Sequence, residues 1–169
     1  MQTNHNSSFV AIILGGLLFA ATTIPAAYAF DATGTWEGSW KCTGFYDGYL
    51  DRSSEDNSVI EISQVGDELR VDLDGGEYFY AGLIINDGTK PDKRAQTGLV
   101  ACNTTNDSSA PTSEVIHVRL TGGASVDPKA KFRGRSVYAG KNGSPWVGGC
   151  NWKYKRTSRV DPGVLPCPP

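Results

Sequence analysis

The chain has 169 residues, a formal net charge of −2 and only two histidines. This length suits one domain with a single hydrophobic core. The small net charge argues against a nucleic-acid partner, because binding to phosphates depends on an excess of lysine and arginine. The composition therefore favours a small globular domain and excludes a polynucleotide-binding role.

The first 29 residues have the layout of a secretory signal peptide. A polar start is followed by the apolar run VAIILGGLLFAATTI and then by a small-x-small ending at Ala27 and Ala29. Such a segment is removed on export, and the apolar run is short for a membrane span. We therefore expect a mature chain of residues 30–169, periplasmic or secreted, with no membrane attachment after cleavage.

All four cysteines, Cys42, Cys102, Cys150 and Cys167, lie in the mature part. An even number of cysteines in an exported chain predicts two disulfides, because the destination is oxidising. Structural zinc needs ligands a few residues apart, whereas these cysteines are widely spread and His117 is the only histidine after the signal. We expect disulfides and no metal.

Eight short segments alternate apolar and polar residues or are rich in β-forming residues, and turn-forming residues separate them. No helical periodicity joins them. The strands are expected over residues 33–45, 58–65, 68–74, 77–85, 94–102, 113–120, 130–140 and 146–156. The order predicts an all-β fold, an eight-stranded antiparallel up-and-down barrel over 30–157, because closing the sheet removes its exposed edges. A Pro-rich tail, 158–169, follows.

The first and last strands suggest one specific register. Antiparallel pairing sets four residues of one strand opposite four of the other: Trp36 with Arg156, Gly38 with Tyr154, Trp40 with Trp152, and Cys42 with Cys150. The two tryptophans then form a cross-strand aromatic pair. An inward arginine is costly unless its charge is satisfied. We expect its guanidinium to stack on Trp36 and to donate to nearby backbone carbonyls.

Gly34 and Trp36 on the first strand, with Arg156 on the last, resemble the signature of the calycin superfamily of lipocalins, fatty-acid-binding proteins and avidins. The resemblance implies a barrel closed at one end by this tryptophan and arginine. By analogy with lipocalins, it also implies a disulfide from Cys102 to Cys167, which leaves Cys42 for Cys150. The alternative of Cys42 with Cys102 and Cys150 with Cys167 stays open, because a bridge between directly opposed strand residues is demanding. Gly38 and Cys42 occupy positions where avidins carry biotin ligands, so biotin is not expected.

No catalytic set emerges from the sequence. His117 lies on the strand face opposite Ile116, Val118 and Leu120, so it is expected to be exposed, and no second mature histidine is present. Phosphate-binding and dinucleotide-binding loops are absent as well. We therefore expect neither an enzyme nor a cofactor.

The aromatic residues allow two interpretations. A barrel of eight strands either fills its interior with side chains or holds one small ligand. If there is a pocket, its candidate residues are Trp40, Trp146, Trp152, Ile60 and Tyr138, and aromatic walls favour a small apolar or flat ligand. The sequence thus predicts a monomeric, non-catalytic carrier of such a ligand.

Charge is unevenly distributed, which supports an alternative role. Residues 30–85 carry 12 acidic and 3 basic side chains, whereas residues 86–169 carry 6 acidic and 13 basic ones. The excess predicts a basic surface around Lys129, Lys131, Arg133, Arg135, Lys153 and Lys155. A filled barrel could then be an interaction or inhibitor module that engages a protein partner through this surface or through loops.

Overall fold

The protein is described here by a computed structural model covering residues 30–76, 78–86, 93–102, 113–123, 125–126, 129–140 and 146–167. The side chains of Tyr46, Asn86 and Trp146 are outside this description, as is the expected signal peptide. Eight strands follow one another: β1 Gly34–Tyr46, β2 Tyr49–Val65, β3 Glu68–Leu73, β4 Tyr78–Asn86, β5 Arg94–Ala101, β6 Ser113–Thr121, β7 Lys131–Gly140 and β8 Trp146–Ser158.

The strands form a closed barrel in which each pairs with its neighbours in sequence and β8 returns to β1. Every pairing is antiparallel. The predicted fold class is therefore confirmed. The architecture is consistent with a calycin-like barrel. Within the described residues, no helix is long and apolar enough to cross a membrane.

The register between β1 and β8 is the one that the sequence suggested. Trp36 lies opposite Arg156, Gly38 opposite Tyr154, Trp40 opposite Trp152 and Cys42 opposite Cys150. A Cβ on Gly38 would collide with the backbone of Lys153 and Tyr154, so only glycine permits this close approach of the two strands. Because glycine has no Cβ, the residues that permit barrel closure could be identified from the sequence.

One end of the barrel, here called the closed end, is filled by side chains. The guanidinium of Arg156 lies 4.6 Å from the centre of the Trp36 ring, and both side chains are fully buried. Arg156 donates to the backbone carbonyls of Asp31 at 2.7 Å, Gly123 at 2.5 Å and Thr33 at 3.3 Å. The expected stacking and carbonyl bonding of this arginine are confirmed. Desolvation by burial lowers the pKa of Arg156 to about 10, so the group stays charged at neutral pH.

Around this pair, aromatic and aliphatic side chains pack tightly. Phe132 makes edge contacts with Trp36 at 6.3 Å and with Tyr154 at 5.7 Å between ring centres. The segment before β1 covers this end, since Phe30 and Ala32 are fully buried and the Trp36 indole donates to the Ala32 carbonyl at 3.0 Å. The closed end is thus a densely packed, buried layer.

Two disulfides are present, Cys42–Cys150 and Cys102–Cys167. The first joins β1 to β8, with a Cα separation of 4.0 Å. The second ties the C-terminal tail to the residue that follows β5, and on the way the tail's Val164 donates its N–H to Ser63 on β2. The connectivity is therefore the one implied by the lipocalin resemblance, and the alternative pairing is wrong.

The structure corrects the prediction for β2, which begins at Tyr49 and not at residue 58. The added residues 49–57 are exposed and, apart from Tyr49 and Leu50, polar, so they lack the apolar alternation that marks a half-buried strand. They pair with β1 around an irregularity, because Gly38 lies opposite Ser58 while Trp40 lies opposite Glu55. One extra residue in β2 over this interval is a β-bulge.

Candidate functional site

The opposite end of the barrel, here called the open end, contains a cavity of about 370 Å³. Residues of β1, β2, β3, β4, β6, β7 and β8 line it. Ten of the sixteen lining residues belong to two chemical groups, aromatic rings and carboxylates. The rings belong to Trp40, Phe45, Tyr78, Tyr80, Tyr138 and Trp152, and the carboxylates to Asp51, Glu55, Asp74 and Glu114.

The β-bulge determines which side chains of β2 face the cavity. Below the bulge, even-numbered residues such as Ile60 and Ile62 point inward and are buried. The extra residue reverses this alternation, because successive strand residues point to opposite faces. Above the bulge, odd-numbered residues therefore line the cavity: Asp51, Ser53 and Glu55.

The aromatic wall is built from facing strands. Trp40 and Trp152 form a tilted pair with ring centres 6.4 Å apart, and Tyr80 meets Trp152 edge-on at the same distance. The Trp152 indole donates to the Ser136 hydroxyl at 3.1 Å. In contrast, the buried Trp40 Nε1 has no hydrogen-bond partner among the described residues.

Tyr138 reaches the cavity across two glycines. Its hydroxyl occupies the space that a Cβ on Gly148 would need, and it lies 2.7 Å from the position of a Cβ on Gly44. Burial, followed by the charges of Asp51 and Glu114, raises the pKa of Tyr138, which therefore stays protonated at neutral pH. Side chains at either glycine would displace this ring from the cavity wall.

Glu114 is the most buried carboxylate of the site, with 4% of its surface exposed. Its Oε2 accepts a hydrogen bond from the Tyr80 hydroxyl at 2.9 Å, whereas Oε1 has no partner within the described part of the chain. Burial raises the pKa of Glu114, and the hydroxyls of Ser136 and Tyr80 oppose the rise. The site thus contains an incompletely satisfied buried acid, which is uncommon in folded proteins.

A hydrogen-bonded layer separates this cavity from the closed end. The Tyr154 and Ser58 hydroxyls are 2.7 Å apart, and Ser58 donates to the Asp74 carboxylate at 2.9 Å. Asp74 also accepts the backbone N–H of Val59 at 2.9 Å and has a positive φ of 55°. The carboxylate is thus held in place by two residues of β2.

The structure brings part of the predicted pocket together. Trp40, Trp152 and Tyr138 line the cavity. Ile60 does not line it, because its side chain is 2% exposed and packs in the core below the bulge. The side chain of Trp146 lies outside the described residues.

Sequence reasoning missed the polar half of the site. Glu114 shares the inward face of β6 with Ile116, Val118 and Leu120, and this spacing was available in the sequence. A charged residue in phase with an apolar face is a sign of a buried site. Nothing comparable marked Asp51 and Glu55, because their orientation depends on the bulge.

The outer faces of β6, β7 and β8 have the opposite charge. Arg119 pairs across to Arg133, which pairs to Lys153, and Lys131 lies opposite Lys155. These side chains are exposed, as are Lys129, Arg135 and His117. We call Arg119, Lys131, Arg133, Arg135, Lys153 and Lys155 the basic surface. It is physically separate from the cavity, because neighbouring strand residues alternate between the two faces.

Comparison with known proteins gave no match: no protein-family model, no curated protein and no solved structure is significantly similar to the chain. Among the residues described, no group of three or more histidine, cysteine, aspartate or glutamate side chains could hold a metal ion. The chemistry of the site must therefore be inferred from its own geometry.

Proposed function

We propose that this protein is an exported, calycin-like binding protein that holds one small organic molecule in the cavity at its open end. The observation that carries the proposal is a cavity of about 370 Å³ into which aromatic rings and incompletely satisfied buried polar groups project. Small-molecule sites commonly combine mostly apolar walls with a few placed polar groups.

The unpartnered atoms support a ligand, and not only an imperfect core. Leaving a buried donor or acceptor unpaired costs about 1–3 kcal/mol, so such groups are rare unless something binds them. Of the three buried side-chain atoms without a hydrogen-bond partner in the described residues, Trp40 Nε1 and Glu114 Oε1 belong to residues that line this cavity, and the third, Arg156 Nε, lies at the closed end, where the guanidinium stacks on Trp36. A bound molecule with matching polar atoms would satisfy both groups and cover the rings.

The remaining parts of the proposal concern location and chemistry. Two disulfides favour an oxidising compartment outside the cytoplasm. Binding without catalysis fits the position of His117, which is exposed on the outer face and absent from the cavity lining. We further propose that the protein acts as a monomer, since one cavity within one barrel needs no second copy.

Native mass spectrometry of protein purified from its own compartment tests this function. We expect a bound mass that is released on denaturation, and the denatured mass would also report the signal cleavage site and oxidation of all four thiols. A bare protein that also shows no change of tryptophan fluorescence with any added small molecule would contradict the proposal.

Two neighbouring serines provide a matched pair of variants. Both are exposed, but Ser53 lines the cavity, whereas Ser54 is absent from the cavity lining and lies opposite Lys41 on the strand pair. Ser53→Phe should fill the cavity and abolish ligand binding. Ser54→Phe should leave binding unchanged, because its ring would project from the outer face. Equal effects of the two variants would show that the cavity is not the binding site.

The basic surface supports a second candidate, an interaction module for an acidic protein partner. Its side chains form cross-strand neighbours on three adjacent strands, so their potentials add. Charge reversal at Lys131, Arg133 and Arg135 should abolish capture of such a partner, and Arg52→Glu on β2 provides the control. A partner retained by the triple variant would contradict this candidate.

A further inference from the structure

The cavity at the open end is lined by negatively charged side chains. Four carboxylates line it, Asp51, Glu55, Asp74 and Glu114. Its described lining contains no lysine, arginine or histidine. A concave site lined by one sign of charge focuses the field and concentrates ions of the opposite sign. The cavity therefore attracts cations and repels anions, in contrast to the basic surface outside.

Glu114 provides a specific anchor within this field. Its side chain is almost fully buried and lines the cavity, and one carboxylate oxygen is already bonded to Tyr80. The other oxygen, Oε1, has no partner in the described part of the chain. A carboxylate in this position is best satisfied by a charged donor, since hydrogen bonds between ionised groups are about twice as strong as neutral ones.

The aromatic rings surround the same anchor. The Tyr80 hydroxyl donates a hydrogen bond to Glu114, and the Tyr80 ring contacts Trp152, which pairs with Trp40. The carboxylate and the indoles are thus connected through a single tyrosine. The faces of tryptophan and tyrosine rings attract cations, and this attraction strengthens when the cation is removed from water. An ammonium group and a flat apolar body would therefore both be accommodated.

A metal ion fits the same charge less well. Among the described residues, no three His, Cys, Asp or Glu side chains lie together as metal ligands, so the four cavity carboxylates do not form a metal site. Asp74 is already held by Ser58 and Val59. The geometry favours a cation that brings its own apolar surface.

We infer that the occupant of the cavity is a small organic amine, bound with its ammonium group against Glu114 and its apolar body against Trp40 and Trp152. This inference rests on the proposed ligand-binding function and names the chemical class of the ligand. The unpartnered Trp40 Nε1 would donate to an acceptor atom of the same molecule.

The test uses matched probes that share an apolar body and differ in the charge of their polar group. Phenylethyl, indolylethyl and naphthylethyl compounds, each as the amine, the alcohol and the corresponding acid, are titrated into the oxidised protein by calorimetry. We expect at least one amine to bind tenfold or more tightly than its alcohol, and the acids to bind least. The affinity for the amine, but not for the alcohol, should fall as the pH is lowered and Glu114 becomes protonated.

Three variants assign this preference to the cavity. Glu114→Gln should reduce the amine-to-alcohol ratio below threefold, and Glu55→Gln at the exposed rim should reduce it by a smaller factor. Asp67→Asn removes the same charge in the turn between β2 and β3, at the closed end, and should leave the ratio unchanged. Glu55→Gln and the pH dependence of the wild type keep the test valid even if Glu114→Gln does not fold.

The outcomes separate the two proposals. Alcohols or acids that bind as tightly as amines would overturn the cationic ligand while leaving small-molecule binding intact, and so would a neutral or anionic molecule found in the native mass spectrum. Failure of every probe, together with a bare protein in that spectrum, would overturn the proposed function and the amine with it.

Discussion

The two ends of this barrel are built from the same eight strands, yet they differ in how their inward-facing side chains are packed and hydrogen-bonded. At the closed end, the inward positions are mostly apolar, and the buried Arg156 has a ring and three carbonyls as partners, with only its Nε lacking a hydrogen-bond partner among the described residues. At the open end, the inward positions combine rings with carboxylates around the cavity, and Glu114 and Trp40, which line it, have atoms without a hydrogen-bond partner among the described residues. The difference indicates that packing at the closed end stabilises the barrel, and it supports our proposal that the open end binds a ligand.

The largest expected difference concerns the loss of an aromatic ring. Phe132→Ala at the closed end should destabilise the protein by about 3–5 kcal/mol, because it leaves a cavity among Trp36 and Tyr154. Tyr138→Ala at the open end should cost no more than about 1 kcal/mol, since that ring already borders open volume. Urea unfolding measures both. Similar losses at the two positions would remove the contrast between the ends.

Removal of the buried guanidinium tests how much its hydrogen bonds to backbone carbonyls stabilise the closed end. Arg156→Met should lower the free energy of unfolding by about 3 kcal/mol, because one buried and two partly buried carbonyls lose their donor at about 1–3 kcal/mol each, while the apolar Met side chain recovers part of the loss by packing. Lys153→Met on the exposed face of the same strand should change it by less than about 0.5 kcal/mol. A stable Arg156→Met protein would show that the arginine is dispensable for closure.

The disulfide between β1 and β8 sharpens the comparison, because it lies at the open end. Replacing Cys42 and Cys150 together by serine should cost about 2 kcal/mol, the low end of the usual range, since the bridged strands also share backbone hydrogen bonds. Hydrogen exchange should quicken in residues 42–46 and 146–150 and stay slow near Trp36 and Arg156. Uniform loss of protection would mean that the two ends unfold as one unit.

The smallest effect concerns the buried acid. The folded-state pKa of Glu114 is raised above its ordinary value of 4.5 by burial, so folding takes up a proton. Stability is therefore highest below pH 4.5 with respect to this group and falls as the pH rises through the raised pKa. Glu114→Gln should remove that fall and stabilise the protein at pH 7 by about 1 kcal/mol while weakening amine binding. Thermal unfolding across pH measures it, and a destabilised variant would contradict the assignment.

The sequence predicted the closed end well because that end depends on residue patterns within one strand or between two paired strands. Gly38, Trp36 and Arg156 form a pattern that only one register satisfies, and apolar alternation marks strands whose inward face is filled. The same alternation failed over residues 49–57, where the inward face is polar and exposed. Apolar alternation detects a buried strand face, so it cannot detect a strand whose inward face borders a cavity.

Position on an inward face was also not enough to separate core from cavity. Ile60 and Trp40 both point into the barrel, but Ile60 lies below the bulge in a filled layer and Trp40 lies above it. Glu114 could have been recognised, because it is in phase with three apolar residues of β6. Its importance, however, depends on Tyr80 and Ser136, which come from other strands.

The amino-acid sequence by itself determined the series of strands, the antiparallel closure of β1 on β8 and the pairing of Trp36 with Arg156. These features depend on residue type and spacing along one or two strands. Only the tertiary structure decided where the side chains stop filling the barrel, which face Asp51 and Glu55 take, and that Glu114 keeps an unpartnered oxygen. Those features depend on the cavity and on the β-bulge in β2. A cavity and a missing hydrogen-bond partner are set by several strands together, so no single segment of the chain reveals them.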